Sequence, residues 1–407
     1  MFKKSLFAVM LATTSVVTLA NEAEISALKN QLKAQQSQID ALVAAMEKPA
    51  SNSSQLNKTT LGGYGEAHYY NFENAAQQYD AYRFVLYVGH QFSDNVRLHS
   101  ELEIEHGLVA DTDATCTVKD VDDSGNLQES EVKCGSASTK PGEVELEQMF
   151  IEWNYAGKQN LSIGQILIPI GFLNEIHEPE TFYGTKRNPV ETAIIPTTWW
   201  EGAVKASGLV AGVEGLSYNA LVSTGLKTTD ASIRSSRQKG AKAVAEDLAY
   251  TLGLNYRGIV GLDTGIAYQL QKDITQGAAA QSNQASLIEA HIGYTWQGIS
   301  TRALYAQWDI DDLAAANAHK AKQEGYYLEA AYKPIDKLGV FARFSSWDNE
   351  AADTIANSKD SKKDQWNYGV NYYIAPRVVL KLDIQDQQLA TSGVDEDGFS
   401  LGVGYSF

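Results

Sequence analysis

Three groups of residues have types and spacings suited to chemistry. The first is DVDDSGNLQESE (120–131). Asp120, Asp122, Ser124, Asn126 and Glu131 fall at positions one, three, five, seven and twelve of a calcium-binding loop, with Gly125 at six. Calcium takes roughly six to eight oxygens, and this run offers them. The flanking residues are Thr, Val and Cys rather than the helices that normally frame such a loop, so an acidic surface loop with chance spacing is the competing reading. A structural calcium ion here is the one cofactor the sequence points to; nothing else in the chain requires one. Cys116 and Cys134, the only two cysteines, bracket the run. In an exported chain the expectation is a disulfide, worth ~3 kcal/mol in the chain-entropy account.

The second group lies in PIGFLNEIHEPETFYGTKRNPVETAIIPTTWW (169–200), which holds four of the eight prolines. Proline donates nothing to a sheet ladder, so no central strand runs here. A solvated loop of this length should be polar, yet this one carries Ile170, Phe172, Leu173, Ile176, Ile194, Ile195, Trp199 and Trp200. Among them stand Glu175, His177, Glu178, Glu180, Tyr183, Lys186, Arg187 and Glu191. A long irregular segment, half apolar and charged in both signs, suits a loop folded into a cavity, where its charges would line a path for ions. Lys186 and Arg187 are the anion-side candidates and the glutamates the cation-side ones. The competing reading pairs Lys186 and Arg187 with Glu180, Glu191 or neighbouring carboxylates.

The third group is catalytic in type only. His99 and His291 sit beside carboxylates in alternating segments, as acid/base pairs do. Lining of a wall is the stronger explanation for both. No G-x-S-x-G elbow occurs and the seven histidines are scattered, so no enzyme is expected.

The elements that position these residues follow from periodicity. Residues 1–20 pair a basic start with an apolar run and a small-residue cleavage site, which is a secretory signal peptide. In 21–49, Ile25, Leu28, Leu32, Gln35, Ile39, Leu42 and Met46 step by three and four, the spacing of a periplasmic coiled-coil helix and hence of an oligomer. Residues 50–60 read as a tether. From 61 to 407 the period is two. In 96–106, Val96, Leu98, Leu102 and Ile104 alternate with Arg97, His99, Glu101, Glu103 and Glu105. The same alternation recurs in sixteen segments, with short turns alternating with long connections at 73–79, 110–142, 169–200, 226–246, 274–285, 310–323, 348–364 and 389–396. That combination predicts an all-β fold: a sixteen-stranded antiparallel transmembrane β-barrel, 61–407, whose third long connection is 169–200. Its predicted inner wall carries Glu66, Arg83, Arg97, His99, Glu101, Glu103, Glu105, Glu145, Glu147, Arg257, Glu289, Arg343, Lys381 and Asp383. Segment 143–155 is out of phase unless a bulge lies near Gln148. The net charge of −17 excludes a nucleic-acid-binding role.

Several blocks resemble the phosphate-selective porin O/P-like family of Gram-negative outer membranes: GGYGEAHY (62–69), RFVLYVGHQFSDNVRLHSELEIEHGL (83–108), GEVELEQMFIEW (142–153), WWEGAVKASG (199–208), RALYAQWD (302–309) and GFSLGVGYSF (398–407). The resemblance implies a trimeric sixteen-stranded porin whose third loop bends into the pore. Phosphate-selective members carry rows of basic residues along the pore. Here the first four strands are acidic inside, so phosphate selectivity is not implied. The expected function is passive diffusion of small hydrophilic, charged solutes across the outer membrane by a homotrimer in contact with lipid and lipopolysaccharide. A structural or adhesive barrel, or an outer-membrane enzyme, are the other classes.

Overall fold

The computed structural model describes residues 58–107, 142–352, 361–389 and 396–407, and the backbone alone of 115–121 and 127–133. The signal-peptide and coiled-coil expectations and nearly all of the tether lie outside the described residues.

Sixteen strands form one closed antiparallel barrel. They are β1 (Thr59–Phe72), β2 (Gln78–Ser93), β3 (Val96–Glu105), β6 (Val144–Ala156), β7 (Gln159–Leu167), β8 (Trp200–Leu209), β9 (Leu216–Ser223), β10 (Ala249–Tyr256), β11 (Leu262–Gln271), β12 (Ala285–Trp296), β13 (Ile299–Ile310), β14 (Lys322–Ile335), β15 (Leu338–Asp348), β16 (Lys363–Ala375), β17 (Val378–Leu389) and β18 (Gly398–Ser406). The ring closes where β1 pairs with β18, from Tyr64 opposite Ser406 to Phe72 opposite Gly398. Two further strands, β4 (Thr115–Val121) and β5 (Leu127–Lys133), form a separate hairpin in the second long connection. The sequence reading saw only acidic spacing there. Asp120 lies opposite Gln128, and Glu131 opposite Thr117. Asp122, Ser124, Asn126 and Cys134 lie outside the described residues, and of Cys116 only the backbone is described.

Alternation sorts the side chains by face. In β16, Trp366, Tyr368, Tyr372 and Ile374 are exposed while Gln365, Asn367 and Asn371 are buried. In β17, Leu380 and Ile384 are exposed while Lys381, Asp383 and Gln387 are buried. A soluble sheet would reverse this; apolar-out, polar-in is the pattern of a barrel facing lipid. The phase problem of β6 is solved by a bulge. Glu101 pairs with Gln148 and Leu102 with Leu146, so Glu147 is the extra residue. The bulge turns both Glu147 and Glu145 away from the outer face on which Met149, Ile151 and Trp153 are exposed.

The hydrophobic core is not between two sheets. It joins Ile168, Ile170, Val190, Ile194, Ile195 and Trp199 of the third long connection to Leu287, Leu304, Trp308 and Tyr327 on the non-lipid faces of β12–β14. Each fully buried isoleucine contributes about 1.5–3 kcal/mol. The apolar residues that looked wrong for an exposed loop are therefore the loop's attachment.

Candidate functional site

The segment between β7 and β8 is shaped by local signals. Its one helical turn, α1 (Pro189–Ala193), has Pro at its start and an Asn188 cap. The Asn188 Oδ1 accepts from the backbone N–H of Val190 at 2.8 Å and of Glu191 at 3.4 Å. The Asn-Pro pair was a legible start signal that the sequence reading passed over. Gly184 adopts φ +84°, and a side chain there would collide with Asp383 of β17. On β18, Gly404 leaves the room that Pro179 occupies.

The ends of the segment are tied by Asn174. Its Nδ2 donates to the carbonyls of Ile168 (2.6 Å) and Trp199 (2.8 Å), and its Oδ1 accepts from the Trp199 N–H at 2.7 Å. The middle is tied to wall residues of β13, β15 and β17, on one arc of the ring. Lys381 Nζ donates to the carbonyls of Phe182 (3.0 Å) and Gly184 (2.7 Å). Arg343 donates to the Tyr183 carbonyl at 3.3 Å, Arg302 to the Thr181 carbonyl at 3.1 Å, and Trp308 Nε1 to the Ile194 carbonyl at 2.9 Å. The next long connection helps. Arg234 donates to the carbonyls of Thr192 (2.8 Å) and Thr197 (2.6 Å), and Arg237 to those of Pro196 (3.1 Å) and Thr198. Its basic residues thus act as fasteners to carbonyls. Burial lowers the Arg237 pKa to about 10, still well above neutrality, so the guanidinium keeps its charge.

The charged residues of the segment fall into distinct settings. His177 is buried beside Glu101 of β3 and Glu147 of β6, at 3.5 and 3.4 Å. Glu175 is exposed and accepts from Lys205 at 3.1 Å. Glu178 accepts from the Tyr87 hydroxyl at 3.3 Å, and Glu180 from the Ser406 hydroxyl. Tyr183 stacks on Phe341, 5.4 Å between centroids. Burial there pushes its hydroxyl up to about 12. Glu191 has no exposed surface. It accepts from the Leu173 N–H at 2.7 Å and the Tyr327 hydroxyl at 2.8 Å. Burial raises its pKa to about 7, although both hydrogen bonds pull the other way. The competing pairing of Lys186 and Arg187 with Glu180 or Glu191 is not formed. Lys186 Nζ instead lies 4.7 Å from the ring centroids of Tyr70 and Phe72. Nε and one terminal nitrogen of Arg187 have no hydrogen-bond partner.

The predicted wall residues divide similarly. Glu66 pairs with Arg83 at 2.5 Å, and Arg83 reaches Glu103 at 3.5 Å. Glu145 pairs with Lys239, and Asp383 accepts from Asn367 at 3.0 Å. Arg97 is exposed and Glu105 half-buried. Of the two histidines, His99 lies 3.6 Å from Glu152, and His291 hydrogen-bonds Glu289 at 2.7 Å.

Two of the openings beside the segment bear on charge. One, of about 170 Å³, lies between Phe172, Glu175 and Ile176 and the wall residues Asn219, Asn255, Arg257, Asp263, Glu289 and Arg302. Arg257 is held by Asp263 at 2.8 and 3.1 Å. The second, of about 310 Å³, collects Lys186, Arg187, Arg83 and Arg234 with Glu66, Tyr70 and Tyr82. Asn219, Asn255, Asp263 and Arg302 were missed in the sequence because nothing local distinguishes them from other inward strand residues.

Residues 201–392 match a family model described as Gram-negative porin. An uncharacterized protein of Aquifex aeolicus (strain VF5) is 27% identical over 371 residues, covering 84% of this chain and 78% of that protein. The outer membrane channel DcaP of Acinetobacter baumannii superposes with TM-score 0.57 at 12% identity, over 86% of this chain and 97% of that one. The trimer form of in-vitro folded OmpT, an outer membrane protein of Vibrio cholerae, gives 0.52 at 11% identity, over 86% and 99%. Fold and matches together support an outer-membrane porin-like barrel.

Proposed function

We propose that this chain is a homotrimeric diffusion porin in which the third long connection narrows the lumen and small hydrophilic, charged solutes pass beside it. The observation that carries the reading is the opening between Glu175 on the segment and Asn219, Asn255 and Arg302 on the wall. Solutes would be selected by the radius of that passage and by the field of its lining, with no chemical step. Lys186, Arg187, Arg83 and Arg234 would form a positive antechamber that raises the local concentration of anions. Buried Glu66 and Glu103 pair with Arg83 and moderate that positive field, so phosphate selectivity is no part of the proposal.

The exposed apolar belt would meet lipid, with lipopolysaccharide at its outer rim. Calcium on Asp120, Asp122, Ser124, Asn126 and Glu131 is a separate proposal, tested by a melting shift at millimolar calcium. The function itself is tested by single-channel recording in planar bilayers. Three equal conductance steps per insertion support an open trimeric pore. Silence would favour a structural or adhesive barrel, or an enzyme.

A further inference from the structure

His177, Glu101 and Glu147 lie within ion-pair distance but make no hydrogen bond to one another. His177 Nε2 lies 3.5 Å from Glu101 Oε1 and 3.4 Å from Glu147 Oε2. Charge-assisted N–H···O bonds run at about 2.7–2.9 Å. All three residues are at most 2% exposed, yet His177 Nε2, Glu101 Oε1 and both Glu147 oxygens have no hydrogen-bond partner among the described residues. The same barrel makes an ordinary pair of this type elsewhere, between His291 Nδ1 and Glu289 at 2.7 Å. Buried polar atoms without partners are costly, and three of them converging on one point call for an occupant.

The other atoms of these side chains are already engaged as they are around a bound cation. His177 Nδ1 lies 3.2 Å from the Asn174 carbonyl, which needs the N–H on that side and points Nε2 at the carboxylates, where its lone pair would be free for a cation. Metal-bound histidines are held this way by a carbonyl behind them. Glu101 Oε2 accepts from Gln148 Nε2 at 2.6 Å, leaving Oε1 to face the centre. The three ligand atoms lie within 4.8 Å of one another. In a tetrahedral site, ligand separations of 3.4–3.5 Å correspond to metal–ligand bonds of about 2.1 Å, the length of zinc bonds to histidine and carboxylate.

Charge points the same way. Glu101, Glu103 and Glu147 are buried together at this point, and Arg83, 3.5 Å from Glu103, is shared with Glu66. One proton on His177 would leave that excess largely standing; a divalent cation would offset two charges. Glu103, which clusters with Glu147, can supply a further oxygen.

We propose that His177, Glu101 and Glu147 form a binding site for a divalent transition-metal ion of the zinc type, which clamps the third long connection to β3 and β6. The bulge that turns Glu147 inward builds the site, because without it Glu147 would not reach His177.

The test uses the full-length protein, refolded in detergent, stripped with chelator and titrated with Zn²⁺ by calorimetry. One ion per chain is expected, with affinity falling at least tenfold in His177→Gln and in Glu147→Gln. His106→Gln, which alters an exposed histidine beside Asp80, should leave affinity unchanged. Absence of stoichiometric binding, or equal affinity in His177→Gln, overturns the proposal in favour of a protonated His177 between two carboxylates. If the variants do not fold, Co²⁺ titration of the native chain decides. A visible absorption band of four-coordinate intensity that saturates at one equivalent supports the site, and no such band overturns it.

Discussion

Asn174 and Trp199, 25 residues apart, exchange two hydrogen bonds: the Trp199 N–H donates to Asn174 Oδ1 at 2.7 Å and the Asn174 amide donates to the Trp199 carbonyl at 2.8 Å. Together with the bond from Asn174 to Ile168, they close the neck of the third long connection where it leaves and re-enters the wall. The proposed passage and the proposed metal clamp both depend on that segment holding a fixed position.

Asn174→Ala tests the neck. It leaves a buried N–H and two carbonyls without their partner, at about 1–3 kcal/mol for each group left unsatisfied. Proteolysis within 168–199 should accelerate at least tenfold, while the heat-modifiable gel mobility of the barrel stays unchanged. An unchanged cleavage rate would mean the apolar contacts alone hold the loop.

Glu191 gives a pH dependence of definite sign. Its folded pKa of about 7 lies above the ordinary value of 4.5. Below the unfolded pKa the carboxyl is protonated in both states and its full contribution is present. As pH rises through 4.5 towards 7, the unfolded chain ionises first and stability is lost, by about 3 kcal/mol once both states are ionised. Glu191→Gln cannot ionise. The difference in unfolding free energy between variant and native protein should therefore shift in favour of the variant between pH 5 and 8. A difference that stays flat across that range contradicts the assignment.

Lys186 and Arg187 carry the anion-side prediction. Neither is neutralised by a carboxylate of the segment, so their charge should act on passing ions. Changing both to Glu should raise the cation/anion permeability ratio in planar bilayers. An unchanged reversal potential would remove them from the path.

The barrel was readable because lipid enforces alternation on every strand, and runs such as Trp366 to Ile374 announce their outer face without reference to anything distant. The bulge at Glu147 was readable for the same reason, since a break in phase is itself a local signal. The attachment of the third connection was readable only in kind. Ile194, Ile195 and Trp199 required packing partners, but no local pattern names Trp308 or Tyr327 as those partners. Nothing local to Arg234, Arg237 or Arg302 shows that they bind backbone carbonyls of the segment. Asn174 resembles any loop asparagine. Its three bonds reach Ile168 and Trp199, and such contacts are decided by the fold. The β4–β5 hairpin was missed because Asp120 to Glu131 was read for its oxygen spacing, and a hairpin can carry the same residues.

The central claim is that solutes pass between the third connection and the wall formed by β9 to β13. Asn219 lines that passage on β9 and ties down no part of the segment. The direct measurement is the single-channel conductance of Asn219→Cys before and after a negatively charged methanethiosulfonate reagent, with the unsubstituted protein as control. The account predicts that modification removes at least half of the conductance of the variant and leaves the control unaffected. Full conductance after complete labelling, checked by mass, would contradict it.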